Sequence, residues 1–336
     1  MSTGKALVLG AGGFIGSHMV RRLKLEGFWV LGVDLKHPEF SESEADIFLL
    51  GDLRSSEFVD ELIKAHRIDQ IYQFAADMGG AGFVFTGDHD ADIMHNSASI
   101  NLNLLNSIAI ASKNKEARIP KVFYSSSACM YPQENQLDPE NPNCVESSAY
   151  PANPDSEYGW EKLFSERLFL AYRKNYGIPV AIARYHNIYG PEGTWDGGRE
   201  KSPAAICRKI AKVEDSEKEV EIWGDGKQTR SFLYIDDCIE ATRRLMDSSF
   251  ESPVNIGSEE MVTINQMVDM VQLISGKSFK RRHNLDAPVG VRGRNSSNDL
   301  IREVLNWDYK ISLQEGLAQT YSWISSQIEK ADRFEK

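Results

Sequence analysis

Gly10-Ala11-Gly12-Gly13-Phe14-Ile15-Gly16 is the stretch whose reading decides the fold. It follows a strand-like apolar run, Ala6-Leu7-Val8-Leu9, and opens a segment from Ile15 to Leu25 with apolar positions 15, 19, 20 and 23 at helical spacing. Glycines in such a turn permit a tight reversal, close approach of backbone to a pyrophosphate, and close packing of helix on strand. The helix start then offers unpaired N–H groups and a positive dipole end to an anion. A glycine cluster alone often marks an ordinary turn. Here the next strand-like run, Trp29-Val30-Leu31-Gly32-Val33, closes on Asp34, at about the ~20-residue distance from which a carboxylate bonds an adenosine ribose. Such a carboxylate repels a 2′-phosphate, so NAD is expected rather than NADP.

Outward from this turn, short β-branched runs alternate with helical periodicity. Ile47 to Leu50, Gln70 to Phe74, Lys121 to Tyr124 and Val180 to Arg184 read as further strands, with a helix expected over Asn96 to Ser112. This grammar predicts an α/β fold, a Rossmann-type doubly wound parallel sheet. After Pro191 the chain turns to loops rich in Gly, Trp and charge, with helices expected at Thr263 to Ser275 and Leu313 to Ile328. The expected division is a nucleotide domain over 1–185, to which part of 232–260 returns, and a smaller α/β substrate-binding domain over 186–336. The charged end, Lys330 to Lys336, is expected to fray. Asp52, after the third strand, suits either an adenine contact or the cap of the next helix.

The 336 residues are 41% hydrophobic and 26% charged, enough to bury a substantial core. A net charge of −11 argues against a nucleic-acid partner. No apolar run is long enough to cross a membrane and no signal-peptide pattern is present, so the cytoplasm is the expected compartment. Cys129, Cys144, Cys207 and Cys238 show neither CxxC pairing nor zinc-like spacing, and no metal site is expected. For most of them a small buried hydrophobe is the simplest reading.

Tyr158 and Lys162 stand four residues apart, on one face of a helix if one forms there. A neighbouring ammonium and the nicotinamide charge favour the ionised phenol, which makes the pair candidates for taking the proton of an alcohol while its hydrogen leaves as hydride. Ser125-Ser126-Ser127, at the end of a predicted strand, supplies a hydroxyl to hold the same alcohol. Gly10-x-x-Gly13-x-x-Gly16, Phe74-Ala75-Ala76, the serine run and Tyr158-x-x-x-Lys162 together resemble the extended short-chain dehydrogenase/reductases. Within them, Arg184-x-x-Asn187-x-Tyr189-Gly190-Pro191 and Arg230-Ser231-Phe232-x-Tyr234-Ile235-Asp236-Asp237 resemble nucleotide-sugar epimerases and dehydratases.

A narrower resemblance, to the GDP-mannose 3,5-epimerase family, is carried by four stretches. They are Ala75 to Gly80, Ser126 to Pro132, Gly197 to Ala205 and Gly290 to Asn295. It implies that Cys129 and Lys201 form an acid/base pair and that Tyr158 and Lys162, aided by Ser127, serve hydride transfer. Gly10, Gly12, Gly13, Phe14, Ile15, Gly16, Asp34, Asp52, Ala75, Ala76, Tyr158 and Lys162 would hold NAD. Gly79, Ser127, Cys129, Asn187, Glu200, Lys201, Lys209, Gln228, Arg230 and Arg292 would hold a GDP-sugar. Lys209, Arg230 and Arg292 are chemically suited to its diphosphate.

The implied reaction is epimerisation of GDP-D-mannose at C3 and C5 to GDP-L-galactose, with GDP-L-gulose as the C5 side product and NAD recycled at C4. The family also implies a homodimer built from the Asn96–Ser112 and Tyr158–Tyr172 helices. Two segments depart from the plant pattern by looking longer, Phe85 to Asp90 and Lys113 to Arg118, the second read as a surface loop. Alternatives are an epimerase of another GDP-hexose or GDP-heptose, or a sugar-nucleotide 4-epimerase or 4,6-dehydratase. Dehydratases carry an acidic pair where this chain has Ala128-Cys129, and a 4-epimerase needs neither Cys129 nor Lys201. A non-catalytic NAD-binding redox sensor would need none of Tyr158, Lys162, Ser127, Cys129 and Lys201.

Overall fold

The computed structural model describes residues 3–113, 118–214 and 216–334. The elements of the first half are β1 (Lys5–Leu9), α1 (Phe14–Leu25), β2 (Trp29–Asp34), β3 (Ile47–Leu50), α2 (Ser56–Ala65), β4 (Gln70–Gln73), α3 (Ala81–Val84), α4 (Asp90–Ala111), β5 (Lys121–Ser127), α5 (Glu157–Tyr176) and β6 (Val180–Tyr185). There follow β7 (Ile188–Tyr189), α6 (Ser202–Ala211), β8 (Glu219–Trp223), β9 (Thr229–Ser231), β10 (Leu233–Tyr234), α7 (Ile235–Asp247) and β11 (Val254–Ile256). The chain closes with β12 (Met261–Thr263), α8 (Ile264–Ser275), β13 (Lys280–Asn284), β14 (Gly293–Arg294), α9 (Asp299–Leu305) and α10 (Leu313–Phe334).

Seven strands form one sheet in the order β11-β6-β5-β4-β1-β2-β3, every pairing parallel. The predicted doubly wound sheet is therefore what forms. Strand alternation sends Val8, Val30, Tyr72 and Phe123 to one face, with Met19, Val20 and Leu23 of α1. Leu7, Leu31, Ile71 and Val122 go to the other, with Val59 of α2, Leu104 and Leu105 of α4 and Phe169 of α5. Because both faces are covered, the strands are apolar throughout rather than alternating. The strand order reverses between β1 and β4, and ligands of such sheets sit in the crevice at that point.

The smaller strands hold the far side of the crevice. β9 pairs antiparallel with β12 and parallel with β14, in a register that sets Arg230 opposite Arg294. α6 packs on α8, α10 and β8, which pairs with β13.

Several boundaries differ from expectation. α4 starts at Asp90, six positions before Asn96, with Asp90 and Asp92 in a first turn that favours carboxylates. α10 runs to Phe334, so residues 330–334 are helical rather than frayed. The helix after β3 is capped by Ser55, whose hydroxyl accepts from Phe58 N–H, and not by Asp52. Of the segment from Lys113 to Arg118, residues 114–117 lie outside the described residues, and the two that flank them are exposed. No described helix is long and apolar enough to cross a membrane.

Candidate active site

The glycine turn joins β1 to α1 at the switch point. Gly10 has φ +83°, and a Cβ on Gly12 or Gly16 would lie 2.1 Å from the Lys36 carbonyl oxygen or 2.0 Å from that of Gly10. No side chain fits there without moving backbone, so the turn is a cradle sized for close approach. Gly13 caps α1 without a side-chain hydrogen bond, and no acidic residue stands in the first turn, which leaves the N–H groups around Phe14, Ile15 and Gly16 for an anion. Asp34 closes β2 and accepts from Gly12 N–H (2.9 Å) and Leu35 N–H (2.7 Å), fixing its carboxylate at the rim. Ala75 and Ala76 follow β4, and the Ala75 backbone forms the wall against which Gly10 turns. This donor set fits a dinucleotide. Asp52 instead pairs with Arg54 (2.7 Å), which holds its pKa below the usual carboxylate range.

Tyr158 and Lys162 lie in the first turns of α5, which Ser156 caps by accepting from Gly159 N–H. A Cβ at 159 would stand 2.2 Å from the Cys129 carbonyl oxygen, so the glycine lets α5 press against the turn after β5. That contact puts Tyr158 beside Cys129. The Ser127 hydroxyl accepts from Cys129 N–H (3.2 Å) and lies within reach of the Tyr158 phenol, whose ionised form it favours. Lys162 Nζ donates to the Ser125 carbonyl (3.1 Å) and lies 5.6 Å from the Tyr158 ring centre. Burial pushes the Tyr158 phenol well above its ordinary value, the Cys129 charge adds to the shift, and only then does the Ser127 hydrogen bond oppose it. Desolvation of the phenolate is the largest of these effects, so the chain's own charges do not ionise Tyr158.

Cys129 occupies a short 3-10 turn, Ala128–Met130, at the end of β5. Its Sγ accepts from Arg294 Nη1 (2.9 Å), while Arg294 Nη2 pairs with buried Asp155 (2.9 Å). Lys201 is the N-cap of α6, whose start is set by Pro203. Burial lowers the Lys201 pKa, the charge of Cys129 raises it, and Arg294 is among the other charges it feels. Among the described residues no carboxylate pairs with its ammonium. The Lys201 loop is held in place by Gly80 N–H, which donates to the Arg199 carbonyl (2.9 Å), and by Arg199 itself, stacked 3.9 Å over Phe83.

The other predicted contacts divide into groups. Arg230 is spent on carbonyls, those of Thr229, Val289 and Val291, and burial beside Arg294 lowers its pKa. Asp155 and Cys129 act on it in the opposite direction. Arg292 is held on Asp225 by two bonds (3.1 and 3.2 Å). Gln228 donates to the Trp223 carbonyl (3.0 Å) and leaves a buried Oε1 without a partner among the described residues. Asn187, at φ +48°, donates to the Ser231 carbonyl (2.9 Å). Gly79 abuts Phe83. Lys209 donates to the Glu221 carbonyl (2.9 Å) and lies 5.6 Å from the Trp223 ring. The Glu200 carboxylate turns onto Arg208 and Gly198 N–H, where it shapes the loop. Phe85, in the segment that looks longer than the plant pattern, touches Gly290 next to Arg230.

Comparison with known proteins agrees with this geometry. The profile of the NAD dependent epimerase/dehydratase family matches residues 6–257. The chain belongs to that family. This epimerase/dehydratase is 47% identical to the GDP-mannose 3,5-epimerase of Arabidopsis thaliana, covering 97% of this chain and 83% of that protein. It is 45% identical to GDP-mannose 3,5-epimerase 1 of Oryza sativa subsp. indica, over 96% and 82% of the two chains. A UDP-glucose 4-epimerase from Thermotoga maritima, solved with UDP-glucose, superposes with a TM-score of 0.84 at 25% identity, over 96% of this chain and 99% of that one. The cofactor of this epimerase/dehydratase is NAD.

Sequence reasoning missed Arg294. It stood in view within Gly290 to Asn295, but nothing local says that its guanidinium reaches a sulfur 165 positions away. Asp155 was missed for the same reason.

Proposed function

We propose that this epimerase acts on GDP-D-mannose at C3 and C5 to give GDP-L-galactose, with GDP-L-gulose released when only C5 is inverted. The observation that carries the reading is that Cys129, packed against Tyr158, lies within electrostatic reach of the Lys201 ammonium. NAD, when bound on the glycine turn by Gly10 to Gly16, Asp34, Ala75 and Ala76, supplies a reversible hydride acceptor. Tyr158, oriented by Ser127 and Lys162, takes and returns the proton of the C4 hydroxyl. A carbonyl at C4 acidifies the hydrogens on C3 and C5, and Cys129 and Lys201 exchange those protons from opposite ring faces. Steps of this kind contribute roughly 10²–10⁴-fold each. Arg230, Arg292 and Lys209 take the diphosphate, and Gln228, Asn187 and Gly79 line the rest of the substrate.

Residues 1–185 with α7 and β11 make the nucleotide domain, and the remainder holds the sugar nucleotide. The protein works as a homodimer through α4 and α5, whose outward Leu102, Ile110, Trp160 and Phe164 are 40%, 43%, 38% and 46% exposed. Its four cysteines are free thiols, as suits the cytoplasm.

The test is product analysis on GDP-mannose in deuterated water. Deuterium at C3 and C5 of a GDP-L-galactose product is expected, and Cys129→Ala should lose both labels. Inversion at C4 without label, or loss of the C6 hydroxyl, would replace this reading with a 4-epimerase or a dehydratase.

A further inference from the structure

Behind Tyr158 a closed ring of buried polar groups crosses β4, α4, β5 and α5. Lys162 Nζ donates to the Ser125 carbonyl (3.1 Å), and the Ser125 hydroxyl donates to the Gln73 carbonyl (3.1 Å). Gln73 Nε2 donates to Asn101 Oδ1 (2.9 Å), and Asn101 Nδ2 donates to Ser165 Oγ (2.9 Å). Ser165 donates to Glu161 Oε1 (2.6 Å), and Glu161 Oε2 stands 4.0 Å from Lys162 Nζ. Gln73 also clamps Ala75, bonding both its carbonyl (2.9 Å) and its N–H (3.2 Å), and Ala75 walls the nucleotide turn. The side chains of Lys162 and Glu161 are 4% and 1% exposed.

An ammonium removed from water is unfavourable unless an opposite charge offsets it. The titratable groups facing Lys162 are Tyr158, Glu161 and Glu166 on its own helix, Tyr124 on β5, and Cys129 after β5. Glu166 holds both oxygens on Arg184, and Cys129 holds Arg294. Burial pushes both tyrosines up, so they remain neutral. Glu161 is left, and its Oε2 accepts no hydrogen bond among the described residues.

We infer that Glu161 is a positioning residue of the hydride site: the buried counter-ion that keeps Lys162 an ammonium beside Tyr158. Through Ser165, Asn101 and Gln73 it also ties that ammonium to the nucleotide turn at Ala75. The inference rests on Tyr158 and Lys162 being the hydride pair. A Lys162 that lost its proton would leave Tyr158 without its nearest cation, and the ionised phenol would be harder to reach.

Glu161→Gln keeps the shape and an acceptor for Ser165 but removes the charge. Thermal unfolding of this variant and of the wild type is compared from pH ~6.5 to ~10. Without its counter-ion, folded Lys162 gives up its proton at lower pH than in the unfolded chain. Between those two pKa values the unfolded state binds more protons, so stability rises with pH. The Tm deficit of the variant should therefore be largest near neutrality and shrink by about half or more towards pH ~10. A deficit that stays constant with pH makes Glu161 a structural hydrogen-bonding residue and overturns the inference. In turnover of GDP-mannose, the alkaline limb of kcat should move down by about one pH unit, with KM changed less than ~2-fold. Glu161→Asp, which keeps the charge, should restore part of that limb; an unmoved limb in Glu161→Gln also counts against the inference. If Glu161→Gln does not fold, combining it with Lys162→Met should recover folding, and failure of that double variant overturns the ion pair. Unfolding needs no substrate, so a pH-dependent deficit in a protein that does not epimerise GDP-mannose would count against the proposed reaction and not against the counter-ion.

Discussion

Cys129 takes its character from Arg294 rather than from its neighbours in sequence. Arg294→Met removes the donor to Sγ and leaves the Asp155 carboxylate, 4% exposed, without its paired cation. Breaking a buried pair from one side costs about 3–5 kcal/mol, so chemical denaturation should show a loss of that order. Solvent-deuterium exchange into substrate should slow in the same variant, and Arg294→Lys should regain part of the stability. Lys201 presents the opposite case, a half-buried cation with no carboxylate paired to it among the described residues. Its folded pKa is lowered by burial, below that of the unfolded chain. The unfolded state therefore binds the extra proton between those values, and wild-type stability rises with pH through that window up to ~10.4. Lys201→Met is expected to raise Tm at neutral pH while abolishing turnover, with the gain shrinking as pH rises. A Tm that falls on this substitution would refute the account of a site holding an unfavourable charge for its function.

Among the elements, the glycine turn and α1 form the part most legible in sequence. Strand, turn, helix and Asp34 are adjacent along the chain, and backbone sterics decide their geometry. Gly12→Ala places a methyl 2.1 Å from the Lys36 carbonyl and must displace backbone. It should weaken NAD binding by roughly 10–100-fold, or about 1.4–2.8 kcal/mol, when titrated by calorimetry. The helix bearing Tyr158 and Lys162 was legible by spacing, but the ionisation of Tyr158 was not. Spacing reports which groups are near and not how much water each has lost, and at Tyr158 desolvation is the largest effect. The Asp52 cap failed for a local reason: Arg54, two positions on, takes its carboxylate, and Ser55 stands in the better capping place.

At the scale of the whole molecule, α4 and α5 pack side by side and present apolar residues outward. Trp160→Glu combined with Phe164→Glu, one helical turn apart on α5, should shift the protein from dimer to monomer in sedimentation. An unchanged mass would place the interface elsewhere. The two ends of the site were knowable to different degrees. The sequence by itself determined the parallel sheet, the nucleotide turn and the Tyr158–Lys162 pair, because periodicity, turn sterics and helical spacing act over a few residues. Only the tertiary structure decided that Arg294 holds Cys129 and, among the described residues, that Lys201 enters the same field without a carboxylate partner and that Glu161 faces Lys162 with an oxygen accepting no hydrogen bond. Those relations depend on β14 lying beside β9 and on α5 pressing against the turn after β5. They also depend on burial, which sets the energy of each charge and has no local signature in the chain.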